Sequence, residues 1–142
     1  GVFQTRGATA LVYRGDDGID KLTTTGHSHI WEVSRGFVTE HDLDPADLGI
    51  PRADIQSLLG ADAAHNASVA RAVLAGEPGP VRDIVLLNAA GGLAAYELSR
   101  EPELLQEPIV QRLATQLERA ASVIDSGAAS AKLDEWVAAT NR

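Results

Sequence analysis

The rhythm of this chain changes once. Up to Ile50 the apolar residues come in short runs that read as strands. From Asp62 onward they recur every three or four residues, the repeat that places them on one face of a helix. Strands come first and helices after, so the helical stretch must bury its apolar face on whatever sheet the first part builds.

The first part opens with "ATALVYRG", Ala8 to Gly15, an apolar run rich in β-formers and closed by glycine, which reads as a buried strand. Two further β-rich runs, "HIWEV" (His29 to Val33) and "FVTEHDL" (Phe37 to Leu43), flank "SRG", a three-residue connection that signals a hairpin. In "DPADLG", Asp44 is placed to cap, Pro45 to start and Gly49 to stop a short helical turn. Asp62 caps a helix carrying Ala63, Ala67, Ala70 and Leu74, which Gly76 ends. The next helix starts at Pro80; Val81, Ile84, Val85 and Leu87 make it apolar on most faces and predict that it is buried. "EPELLQEP" reads as a connection. After it, Ile109, Leu113, Leu117, Ala120 and Ile124 form a stripe that runs to Gly127, and Leu133, Trp136 and Val137 share a face of a last helix.

With 142 residues, 44% hydrophobic and 23% charged, the chain has enough apolar matter for one core and none of the composition of disorder. No run approaches the roughly 18 apolar residues of a membrane span, which points away from membrane readings. Without cysteine there is no disulfide, thiolate metal site or cysteine nucleophile, and a reducing cytoplasm is the expected setting. A net charge of −8 opposes binding to a nucleic-acid backbone. The chain begins at Gly1 and holds no methionine, so it is expected to be a piece of a longer protein.

The densest polar stretch is "RGDDGIDKLTTTG", Arg14 to Gly26, directly after the first strand. Such loops at the carboxyl end of a buried strand are where ligands gather, and aspartates there can hold a magnesium ion directly or through water. Asp and Gly clusters are also ordinary turn chemistry, and by spacing alone the stretch reads first as a turn. Asp16, Asp17 and Gly18 form that turn, and Asp20 just beyond it is the better candidate for a functional carboxylate. His27 and His29 share a strand face but lack a third ligand at metal spacing, and His41 and His65 read as strand and helix residues. Gly91 and Gly92 lie inside a helix rather than between a strand and a helix. They therefore form no phosphate cradle and are expected to permit close contact with another helix.

Taken together, "GDDGIDKLTTTG", "DPADLGIP", "LLGADAAHNASVARAVLAGEPGPVRDIVLLNAA" and "SVIDSGAASAKLDEWV" resemble, in order, the carboxyl-terminal part of anthranilate phosphoribosyltransferase. The resemblance covers most of Gly7 to Asn141. It implies an α/β fold: the carboxyl-terminal part of the nucleoside phosphorylase/phosphoribosyltransferase α/β domain, with a β-hairpin and four to five helices packed on a mostly parallel sheet. Residues 1–142 would be that portion, with the family's helical domain, glycine-rich pyrophosphate loop and anthranilate-contacting arginine lying upstream. "GVF" would meet "QTRGATALV" where relatives have a longer helical insert between Phe3 and Gln4.

The implied reaction transfers the phosphoribosyl group of phosphoribosyl pyrophosphate to the amine of anthranilate, releasing pyrophosphate with Mg²⁺, in a cytoplasmic homodimer of the tryptophan pathway. The family ligates magnesium with an Asp-Glu pair, and the matching positions here are Asp20 and Lys21. Asp20 carries over as a metal ligand or as an acceptor for metal-bound water. Lys21 departs from the pattern, because an ammonium cannot ligate magnesium: one metal is lost, or Lys21 meets a pyrophosphate oxygen, or Asp17 compensates. A same-fold paralogue, nucleoside phosphorylase-like or merely binding, and a non-enzymatic scaffold are the alternative readings.

Overall fold

A computed structural model describes residues 1–141. A single helical turn, α1 (Val2–Thr5), precedes strand β1 (Ala10–Gly15), and β2 (Ser28–Ser34) and β3 (Phe37–Leu43) follow. Two 3₁₀ turns, Pro45–Leu48 and Ile55–Leu58, lead to α2 (Ala63–Leu74) and the long α3 (Pro80–Arg100). A third 3₁₀ turn, Pro102–Gln106, precedes α4 (Ile109–Asp125) and α5 (Ala128–Thr140). The expected caps are in place: Asp44 accepts from the Ala46 N–H at 3.0 Å and Asp62 from the His65 N–H at 2.8 Å.

The α/β character is as expected, but the sheet is not mostly parallel. Its order is β1-β2-β3, and both pairings are antiparallel. A parallel neighbour needs a crossover, usually a helix, and here every long helix follows β3 while the β1–β2 link folds back as turns. The hairpin is also one residue tighter than expected. Ser34 pairs with Phe37, which leaves Arg35 and Gly36 as the whole connection, at φ 50° and 80°. That left-handed pair matches the twist of a two-residue hairpin and costs about 1 kcal/mol at the non-glycine position. The Arg35 guanidinium donates to Glu103 at 2.7 Å, tying the hairpin to the third 3₁₀ turn.

The core lies between the sheet and the pair α3–α4. Leu22, Ile30, Leu43 and Ile50 meet Leu87, Ala94, Ile109 and Leu113 there, and removing each large side chain from water stabilises the fold by about 1.5–3 kcal/mol. A smaller cluster joins Val73, Leu86, Ala120 and Ile124. The Pro80 helix buries one face, from Leu86 to Leu98, rather than all of them: Val85 and Tyr96 lie open. No residue of α5 is buried among those described, and Trp136 is 66% exposed, so the stripe of Leu133, Trp136 and Val137 does not join this core.

One polar junction pins the sheet to α4. The fork of Arg112 donates to both carboxylate oxygens of Glu32 at 2.6 and 2.8 Å and, through Nε, to the Glu107 carbonyl, while the His41 ring meets the same Glu32 carboxylate at 3.0 Å. Among the described residues no helix is long and apolar enough to cross a membrane.

Candidate functional site

The β1–β2 link is organised by its second aspartate. Asp17 Oδ1 accepts from the Ile19 N–H at 3.1 Å, and Oδ2 accepts from the hydroxyls of Thr23 and Thr25, each at 2.7 Å. The Thr23 hydroxyl also accepts from the Thr25 N–H, and the Thr23 N–H donates to the Ser28 hydroxyl at the start of β2. Partial burial works to raise the Asp17 pKa, but the hydrogen bonds from Thr25, Thr23 and Ile19 outweigh it and hold the carboxyl below its usual range. Gly15 makes this knot possible, since a Cβ there would stand 2.4 Å from Asp17 Oδ1 and 2.9 Å from the Thr23 Cβ.

Asp20 and Lys21 are treated differently. Their side chains are 90% and 51% exposed and, among the described residues, hydrogen-bond only to each other, Lys21 Nζ donating to Asp20 Oδ1 at 2.5 Å. That hydrogen bond, followed by the lysine's charge, lowers the Asp20 pKa from its ordinary value. The next residue, Leu22, is fully buried, so the backbone dives into the core as soon as the charged pair has been presented. Lys21 also borders an otherwise mainly apolar cavity of about 450 Å³, lined among others by Ile19, Leu58, Ile84, Val85 and Asn88.

These donors fit magnesium in a limited way. Among the described residues no three histidine, aspartate or glutamate side chains converge as a cage. Asp17 already accepts three hydrogen bonds, from Ile19, Thr23 and Thr25, which leaves its oxygens less room for a further ligand than those of Asp20. Asp20 is an exposed carboxylate with Oδ2 open, which suits a cation that takes one carboxylate and keeps most of its waters.

Among the described residues no histidine side chain hydrogen-bonds to Asp17, Asp20 or Lys21, although the His27 carbonyl accepts from the Asp16 N–H at 2.9 Å and His29 lines a cavity with Arg14 and Asp16. On the outer face of β2, His29 bridges Asp42 at 2.8 Å and Glu40 at 3.0 Å and stands edge-on to Trp31. The hydrogen bond to Asp42 raises its pKa most, and the one to Glu40 adds to it, against the opposing effect of desolvation. His27 lies 3.6 Å from Asp44, and His41 belongs to the Glu32 junction. The two helical glycines differ. A Cβ on Gly91 would press on Leu22 at 3.2 Å and Tyr13 at 3.5 Å, so its close contact is with β1 and the site loop rather than with a helix, and Gly92 faces open space.

Sequence reasoning missed three parts of the arrangement: Thr23 and Thr25 as donors to Asp17, Ser28 as an acceptor, and Asn88 on α3. The threonine run was a visible signal, since hydroxyls six and eight residues beyond an aspartate can close a loop on it. Asn88 carried only the hint that asparagine is a poor residue for a helix interior.

Residues 2–130 match the glycosyl transferase family, a/b domain. Over 140 residues the chain is 70% identical to the anthranilate phosphoribosyltransferase of Leifsonia xyli subsp. xyli, covering 99% of this chain and 40% of that protein. The crystal structure of anthranilate phosphoribosyltransferase from Thermus thermophilus superposes with a TM-score of 0.76 at 32% identity, covering 95% of this chain and 36% of that one. The Saccharomyces cerevisiae anthranilate phosphoribosyltransferase in complex with PRPP and Mg shares the fold, with a TM-score of 0.73 at 19% identity over 89% of this chain and 33% of that one. The chain thus spans about two-fifths of the length of the curated relatives it matches.

Proposed function

Because the chain belongs to the glycosyl transferase family through its a/b domain, we propose that it is the carboxyl-terminal portion of an anthranilate phosphoribosyltransferase. In the complete polypeptide it would help move the phosphoribosyl group of phosphoribosyl pyrophosphate onto the amine of anthranilate. The observation that carries this reading is the 70% identity, sustained over 99% of the chain, to the Leifsonia xyli subsp. xyli anthranilate phosphoribosyltransferase. The remaining length supplies the helical domain, the glycine-rich loop and the anthranilate pocket, so residues 1–142 alone are inactive.

In this reaction the bond from the anomeric carbon to pyrophosphate breaks, a carbon–nitrogen bond forms, and positive charge builds on the ribose as the leaving group gathers negative charge. A site helps most by meeting that developing charge with groups already in position. The Lys21 ammonium has three donors; one holds Asp20, and two are left for pyrophosphate oxygens. Asp20 holds the Lys21 ammonium through one hydrogen bond and offers its free oxygen to water around a cation. Magnesium, when bound with the substrate, neutralises pyrophosphate oxygens. The Asp17 knot does none of this chemistry and holds the loop closed beneath the charged pair. The same reading places the enzyme in the cytoplasm as a homodimer.

Anthranilate-dependent pyrophosphate release by the full-length protein, with and without Mg²⁺, tests the proposal. Release that requires both substrates and rises with Mg²⁺ supports it; release independent of anthranilate contradicts it. For Lys21, a Lys21→Glu variant with a changed Mg²⁺ requirement supports the pyrophosphate contact, and an unchanged requirement counts against it.

A further inference from the structure

We infer that Asn88 is a positioning residue for pyrophosphate recognition, holding the Leu22 peptide and through it the direction in which Lys21 and Asp20 leave the loop. The inference rests on the function proposed above and concerns a residue that touches neither reacting group.

Asn88 Oδ1 accepts from the Leu22 N–H at 3.0 Å, and Asn88 Nδ2 donates to the Leu22 carbonyl at 2.8 Å and to the Ile84 carbonyl, one turn back on α3, at 2.9 Å. One side-chain amide thus satisfies both polar groups of a loop residue, much as a neighbouring strand would, and the third bond locks its own rotamer. Gly91, one helical turn further on, lets the Leu22 side chain approach α3 closely, with Cδ1 3.2 Å from where a Cβ would stand. Backbone and side chain of Leu22 are therefore both gripped by α3, and the residue before Leu22 is Lys21.

The grip is chemically specific. Aspartate keeps the acceptor but cannot donate to the two carbonyls, and leucine offers neither function. An asparagine in the interior of a 21-residue helix also has a local cost that this clamp explains. Asn88 and Lys21 border the same cavity, so a shift of the Leu22 peptide moves the ammonium on one side and, on the other, the Thr23 N–H at the edge of the Asp17 knot.

The test uses full-length enzyme carrying Asn88→Leu and Asn88→Asp, with separate KM values for the two substrates, thermal unfolding, and hydrogen exchange at the Leu22 amide. For Asn88→Leu the expected result is a KM for phosphoribosyl pyrophosphate raised about tenfold or more, a KM for anthranilate within about twofold of wild type, and faster Leu22 exchange. Asn88→Asp, which preserves size and the acceptor but turns an oxygen toward the Leu22 and Ile84 carbonyls, should raise the same KM, and it carries the test if the leucine variant does not fold. Unchanged KM for phosphoribosyl pyrophosphate despite faster exchange overturns the inference, as does an equal rise in both KM values with a lowered melting temperature. Wild-type enzyme without phosphoribosyl transfer brings down the functional reading and this inference with it, an outcome visible before any variant is compared.

Discussion

Two carboxylate–cation pairs sit at opposite ends of the same small sheet. At the β2–α4 junction Glu32 and Arg112 are 1% and 5% exposed and joined by two hydrogen bonds, with His41 on the same carboxylate. In the β1–β2 link, Asp20 and Lys21 are 90% and 51% exposed and joined by one. The chemistry is nearly identical, and burial separates the roles. A buried pair cannot lose a partner without stranding a charge in a poor solvent. An exposed pair contributes about 0–1 kcal/mol and can open at little cost to meet a ligand. The first pair is scaffold and the second is available for binding. Asp17 stands between them, inside the polar loop but spent on holding it together.

The largest effect expected from this contrast is at the junction. Arg112→Met leaves the buried Glu32 carboxylate with the His41 ring alone and should lower unfolding stability by about 3–5 kcal/mol, seen as an earlier urea midpoint; a loss below about 1 kcal/mol would mean that water already reaches the pair. Asp17→Ala should cost less, about 1.5 kcal/mol, because it removes one acceptor shared by the buried Thr23 hydroxyl and the half-buried Thr25 hydroxyl.

Asp17 also gives a pH signature. Its folded pKa lies below the unfolded value, so its contribution is full above about pH 4 and lost as pH falls through the folded value; Asp17→Asn should flatten that acid limb of an unfolding curve. The smallest stability effect belongs to the exposed pair. Asp20→Asn and Lys21→Ala should each change stability by no more than about 0.5 kcal/mol while weakening substrate use, and a larger stability loss would erase the distinction drawn here.

Features that depend on near neighbours were legible in the sequence. Asp44 and Asp62 cap what they were expected to cap, because an Asx side chain reaches only the next turn. The hairpin and the stripe from Ile109 to Ile124 follow from periods of two and 3.6 residues. Partnerships across the chain left no local trace. Asn88 and Leu22 are 66 positions apart, and Arg112 and Glu32 are 80 apart. The antiparallel pairing of β1 with β2 was hidden for a related reason, since a strand's own pattern records which face is buried and not the direction of its neighbour. Within the loop, the difference between an exposed Asp20 and an Asp17 held by Thr23 and Thr25 could not be seen, because it depends on how the link folds back on itself.

The most direct test compares Asp17→Asn and Asp20→Asn in the full-length enzyme, reading anthranilate-dependent pyrophosphate release and the unfolding midpoint on the same samples. The account predicts that Asp20→Asn loses about tenfold or more in release at an unchanged midpoint, whereas Asp17→Asn lowers the midpoint. An Asp20→Asn enzyme with wild-type release, or one whose midpoint falls along with its activity, would contradict it.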